Sequence, residues 1–365
     1  MKMVSTYLRT WLFYPDSNRS KGIYWKASMI KGGFFTDIIL AFAHIDKDDG
    51  FSIYFPNQKT NFTNLWDEVA ELKRLYPHLK IRFSVGGYGT DGFSDMADDP
   101  NLCKAFVTNV CDWLEKYNLD GVDIDWEFQM GSDSAGIKTR TADGKNYITL
   151  LQNLRSAIDL LEKKNNARYY LSTAIPSGTR RNNIMKIAEI ADYLNLMSYD
   201  YYGSWSETTG HHCNLYNNPA DPDRGGWSTD QAFNSYMAAG VPSEKIIMGA
   251  GLYGRAFSGV SGGHGNDGLF QSYKSVPSIP PFNEGAISWV EIHKLLDKDY
   301  TNHFDNKAKA SYLYNGDIWI SYADTEHMKL LSDYVKQKKM GGIFVWEYFH
   351  DPECSLACVL SESFK

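Results

Sequence analysis

Eight short apolar segments rich in β-branched and aromatic residues recur along this chain, at 6–14, 37–45, 80–85, 121–127, 169–175, 193–199, 245–253 and 342–346. Stretches with helical spacing lie between them, at 65–76, 102–117, 147–163, 184–190, 231–239 and 327–338. Each strand-like segment is too apolar for burial on one face only, and alternation with helices points to a parallel α/β sheet. Eight repeats favour closure over an open sheet, so the expected fold class is α/β, a (β/α)8 TIM barrel. The seventh and eighth segments are separated by far more chain than any other pair. The excess contains a Gly-rich loop (258–268), a Pro-rich turn (276–281), a helix from Ser288 and a strand-like stretch at 310–314. It reads as a small α+β insertion between strand seven and the eighth helix and strand. The expected domains are a barrel of residues 1–255 and 318–365 and an insertion of 256–317. Loops after strand C-termini build the active site of such barrels, so the insertion should wall one side of a cleft.

The fourth segment reads Asp-Gly-Val-Asp-Ile-Asp-Trp-Glu over 120–127. Alternate residues of a strand share a face, so Asp123, Asp125 and Glu127 form a column with successive members about 7 Å apart. Val122, Ile124 and Trp126 take the other face. Three carboxyls on an otherwise apolar strand are expensive to bury unless they share protons and hydrogen bonds. Glu127, the last of them, should reach a cleft at the strand's C-terminal end, where it suits a glycosidase acid.

Composition narrows the alternatives. A formal charge of −7 argues against a binder of nucleic-acid backbone and is indifferent to a neutral polymer. Aromatic residues make up 15%, including 10 Trp and 24 Tyr, enough to supply both a core and platforms for sugar rings. No apolar run is long enough to span a membrane. The N-terminus reads as a first strand and not as a leader peptide, which fits either a cytoplasmic protein or one whose leader has been removed. The five cysteines (103, 111, 213, 354 and 358) cannot all pair within the chain, although Cys354 and Cys358 could bridge. His211 and His212 are adjacent on a loop with no third ligand in sight, which is no metal site. The sequons at Asn18 and Asn61 read as chance matches.

Other strand ends converge on the same mouth. The third segment ends in Ser84-Val85-Gly86-Gly87-Tyr88, the sixth in Met197-Ser198-Tyr199-Asp200, and the eighth in Gly341-Gly342-Ile343-Phe344-Val345-Trp346. Tyr253-Gly254-Arg255 follows the seventh. With these motifs, in this order and over nearly its whole length, the chain resembles glycoside hydrolase family 18, the chitinases. The D-x-x-D-x-D-x-E pattern matches at Asp120, Asp123, Asp125 and Glu127, and is highly specific. The stretch from Gly203-Ser204-Trp205 to Tyr216 is similar to the bacterial-type branch, and the insertion to the chitin insertion domain of one subfamily.

The resemblance implies a retaining hydrolase of β-1,4-linked N-acetylglucosamine polymers that needs no cofactor or metal and attacks with the substrate's own acetamido group. On that pattern Glu127 is the general acid. Asp125 orients the acetamido group, Asp123 shares a proton with Asp125, and Tyr199 bonds the acetamido carbonyl. Trp346 floors the sugar subsite, and Asp200, Met197, Arg255, Tyr253, Trp205, Tyr88, Gly87, Phe42 and Tyr7 line the cleft around it. The implied partner is chitin or a chitooligosaccharide, with no nucleic acid and no membrane. A monomer is expected, and a polymer substrate implies a secreted, extracellular enzyme. Two positions depart from the family pattern. Tyr88 stands where Trp commonly follows the glycine pair, and Phe349 stands three residues after Trp346, where an acid is common. An endo-β-N-acetylglucosaminidase acting on N-glycans would use the same acids but typically lacks the insertion. A sugar-binding lectin on the same scaffold is disfavoured by the intact Glu127.

Overall fold

A computed structural model of the chain describes residues 2–13, 22–56, 64–127, 136–178, 183–223, 227–296 and 298–365. Both sequons lie outside them. Eight parallel strands close into a barrel: β1 (Met3–Arg9), β2 (Asp37–Asp46), β4 (Lys80–Gly86), β5 (Gly121–Asp125), β6 (Tyr170–Pro176), β7 (Tyr193–Met197), β8 (Ile246–Gly251) and β14 (Gly342–Trp346). Strand β1 pairs with both β14 and β2, which leaves no open edge. A short strand, β3 (Ser52–Tyr54), extends β2 antiparallel beyond the barrel rim.

Helices α1 (Leu65–Leu75), α2 (Phe93–Asp98), α3 (Pro100–Lys116), α4 (Asp143–Asn165), α5 (Ile184–Ile190), α6 (Thr229–Ala238), α8 (Thr325–Gln337) and α9 (Ser355–Ser363) occur between or after the barrel strands. Three helix starts are set by side-chain caps. Asp99 accepts from the backbone N–H groups of Asn101 (2.7 Å) and Leu102 (3.2 Å), with Pro100 in the first turn. Ser228 and Asp324 do the same for α6 and α8. The outward residues of β5 fill the space between strand and helices. Trp126, just beyond β5, stacks on Phe93 of α2 at 5.1 Å and meets Tyr147 of α4 edge-on at 5.7 Å.

The seventh segment, expected as one strand through Tyr253, is broken at Leu252. Its second half, β9 (Tyr253–Phe257), leaves the barrel and joins an antiparallel sheet with β10 (Ala286–Ser288), β13 (Trp319–Tyr322), β12 (Ala310–Tyr314) and β11 (Thr301–Asp305), in that spatial order. The short helix α7 (Trp289–His293) follows β10. This second sheet therefore takes in residues on both sides of the 256–317 stretch. Phe257, Tyr312, Tyr314 and Trp319 form its own apolar cluster with Tyr201 and Tyr202 of the loop after β7. All five cysteines are free thiols, so no bridge joins Cys354, at the cap of α9, to Cys358 one turn further on.

Candidate active site

Asp123 and Asp125 face the barrel interior. Asp123 has no exposed surface and receives four hydrogen bonds from four different strands. Ser172 Oγ (2.6 Å) and Asn195 Nδ2 (3.1 Å) donate to Oδ1, and Ser84 Oγ (2.7 Å) and Tyr7 Oη (2.9 Å) donate to Oδ2. Such a cradle offsets the loss of water that makes a buried carboxylate expensive. Burial and the adjacent Asp123 and Asp125 charges push the Tyr7 phenol well above its usual range, so it stays a donor. Asp120, at the other end of the motif, is tied to the Ile81 backbone (2.8 Å) and the Lys73 ammonium (2.8 Å), at the opposite end of the strand from Glu127.

Asp125 sits at the end of β5 against the glycine pair of β4. The Gly87 N–H donates to the Asp125 carbonyl at 2.9 Å. Gly86 has φ +125°, and a Cβ there would lie 2.0 Å from the same carbonyl oxygen; at Gly87 (φ +88°) it would lie 2.6 Å from the Phe42 ring. The sequence needs glycine at both places so that strand and aromatic can close on each other. Glu127 follows just beyond the strand, half-buried. Burial, and after it the negative charge of Asp200, push its carboxyl up to about 7.

Tyr199 follows β7, and burial with the surrounding carboxylates keeps its phenol protonated. Its ring has room because Gly249 carries no side chain: a Cβ there would lie 2.9 Å from the ring. Asp200 (φ +60°) turns away to meet β9. It accepts from Tyr253 Oη (2.7 Å) and takes a two-pronged bond from Arg255 Nε (2.8 Å) and Nη2 (2.7 Å). Burial alone would raise the Asp200 carboxyl, but the neighbouring His212 and Arg255 hold it well below the usual carboxylate range. Arg255 also lies under the exposed Trp205 ring at 5.1 Å.

Trp346 stacks on Phe42 at 5.5 Å and meets Tyr7 edge-on at 5.6 Å, with Trp11 6.5 Å away. Met197 packs in the same cluster. The expected residues thus gather around one barrel mouth, with Tyr88 the most peripheral at 67% exposed. Phe349 is buried and stacks on Phe13 at 3.8 Å, which explains its apolar character. The acids of this stretch lie on either side of it. Glu347 is buried against Arg9, and Asp351 binds the first N–H groups of α9. His211 and His212 diverge, the first toward Asp305 (3.1 Å) and the second toward the Tyr253 carbonyl (3.0 Å).

Sequence reasoning passed over Ser172, Asn195, Trp11, Arg9 and Glu347. Ser172 and Asn195 had a usable signal, since each is a polar residue inside an apolar strand. Trp11 and the Arg9–Glu347 pair had none, because they are joined only by closure of the first and last strands. A cavity of about 730 Å³ opens at the opposite end of the barrel, lined by Lys2, Asp37, Tyr193 and Glu244 among others, away from the carboxyl column.

Fold and site together define a closed (β/α)8 barrel with an inward carboxyl column and an aromatic platform at the C-terminal mouth. The pattern that defines the glycosyl hydrolases of family 18 matches residues 4–351, and the chain belongs to that family. Over 314 residues it is 31% identical to Chitinase A1 of Niallia circulans, covering 80% of this chain and 45% of that protein. Over 354 residues it is 29% identical to chitotriosidase-1 of Mus musculus, covering 93% and 71%. The solved structure of a glycoside hydrolase family 18 N-acetylglucosaminidase from Paenibacillus barengoltzii is similar with a TM-score of 0.84 at 29% identity, each chain covered over 100%. The chain spans about half the length of several curated relatives that it matches.

Proposed function

We propose that this chain is a chitinase that hydrolyses β-1,4 bonds between N-acetylglucosamine units with retention of configuration. The observation that carries this reading is the graded column: Asp123 locked by four donors at its base, and Glu127 held near neutrality at its open end. A carboxyl with that proton affinity is matched to general acid work near pH 7.

In the first step Glu127 gives its proton to the glycosidic oxygen as the C1–O bond breaks. The carbonyl oxygen of the 2-acetamido group bonds to C1 and forms an oxazolinium ion. Asp125 accepts the acetamido N–H and stabilises the positive charge, while Asp123 and Asp125 hold one proton between them. The Tyr199 hydroxyl donates to the acetamido oxygen and aligns it. Water then adds to C1, its proton returns to Glu127, and the C1–O bond to the acetamido oxygen breaks. Trp346 supplies the apolar floor, with Phe42 and Tyr7 behind it and Gly87 closing on Phe42. Asp200, fixed by Arg255 and Tyr253, borders the subsite, and its charge adds to burial in holding the proton on Glu127. Met197, Trp205 and Tyr88 extend the lining. Residues 256–317 act as the wall of the cleft, and action on a polymer implies secretion.

A product time course on chitohexaose with anomer analysis by NMR tests this. Early products should carry the β configuration, and initial α products would overturn the mechanism. The full-length likeness to an N-acetylglucosaminidase favours a second reading, release of single sugars from a chain end. Monosaccharide as the dominant earliest product would select it.

A further inference from the structure

Among the described residues, Arg82 is the only arginine or lysine in the buried interior, and it has no exposed surface. It stands on β4 two residues before Ser84 and so shares the inward face. Its Nη1 donates to Ser172 Oγ at 2.7 Å, and its Nη2 lies 3.4 Å from Asp37 Oδ1. Ser172 Oγ in turn lies 2.6 Å from Asp123 Oδ1. A guanidinium has no acceptor, so Ser172 accepts from Arg82, and the one proton of its hydroxyl is left for Asp123. Tyr7 is oriented in the same way on the other side: it receives Asn195 Nδ2 at 3.2 Å and turns its own proton to Asp123.

We infer that Arg82 is a positioning residue for the proposed hydrolysis, acting through Ser172 to hold the fully hydrogen-bonded Asp123 in place at the base of the acid column. This rests on the hydrolase reading. The charge of Arg82 is balanced at the barrel base by Asp37, with Tyr193 beneath the guanidinium at 5.9 Å. The other titratable neighbours of Asp123 are Tyr7, Tyr199 and Asp125, as their mutual charge effects record.

Replacing Arg82 alone leaves Asp37 buried without a counter-charge, which threatens the fold. The test therefore uses the neutral pair Arg82→Met with Asp37→Asn, and Ser172→Ala in an otherwise intact chain. On chitotetraose, each should lower kcat about tenfold while KM stays within about twofold, the split expected of an interaction made in the transition state. Combining all three substitutions should add nothing further, because both routes remove one relay. Wild-type kcat in Ser172→Ala, or a rise in KM matching any fall in kcat, would overturn the inference, as would full additivity. If the neutral pair fails to fold, Ser172→Ala decides alone. A wild-type chain that releases no product from chitotetraose would instead overturn the hydrolase reading, and the inference with it.

Discussion

On the proposed mechanism Glu127 carries the largest functional consequence of any one residue, and its environment makes four predictions. Its proton must be present for bond cleavage, so kcat/KM on chitotetraose should fall as pH rises through about 7, where its carboxyl ionises. Asp200→Asn removes the like charge beside it and should move that alkaline limb toward lower pH, which a pH–rate profile checks. Glu127→Gln should reduce turnover by about 10²–10⁴-fold and leave oligosaccharide binding largely intact by calorimetry. The same substitution bears on stability. Folding raises the proton affinity of Glu127, so its contribution to stability is fully present below the unfolded value of 4.5 and is lost as pH rises through about 7. Glu127→Gln should therefore stabilise the fold at pH 8 by on the order of 2 kcal/mol and leave it unchanged at pH 4. Urea unfolding at the two pH values measures the difference.

At the scale of elements, strand ends and helix starts carry the precision. Gly86→Ala would press a methyl into the Asp125 carbonyl from a left-handed backbone position. It should cost about 2 kcal/mol or more of stability and lower kcat on chitotetraose, since it moves the strand that bears the acids. Asp99→Ala removes a cap remote from the site and should cost about 1 kcal/mol in urea unfolding with kcat unchanged. These elements also separate what was legible from what was not. Helices α3, α6 and α8 start two residues earlier than apolar periodicity suggests, at Pro100, Thr229 and Thr325. The opening pairs Pro100-Asn101, Thr229-Asp230 and Thr325-Glu326 precede the apolar spacing, and capping by Asp99, Ser228 and Asp324 sets the start. The column of β5 was readable because alternation in a strand is a strictly local rule. The break at Leu252 was not, because apolar sequence runs on through it and only pairing with β13 and β10 redirects the chain.

At the scale of the whole molecule, the barrel and the second sheet meet at the cleft through a charged joint, Asp200 with Tyr253 and Arg255. Trp205 covers that joint from the loop after β7 and is 59% exposed, and on the proposed function its free face stacks on a sugar ring. Trp205→Ala should raise KM for chitohexaose several-fold with little change in kcat, because its contact is made equally in ground and transition states. Steady-state kinetics on chitobiose-length and longer substrates would show the effect growing with chain length.

Sequence alone determined the number of barrel strands, the inward direction of Asp123 and Asp125, and the motifs that gather at the C-terminal mouth. Each of these follows from short-range periodicity or from residues close together along the chain. Only the tertiary structure decided which donors surround Asp123, which charge sits beneath it, and how Arg9 meets Glu347. Those partners come from strands far apart in sequence, and they become neighbours only when the sheet closes on itself.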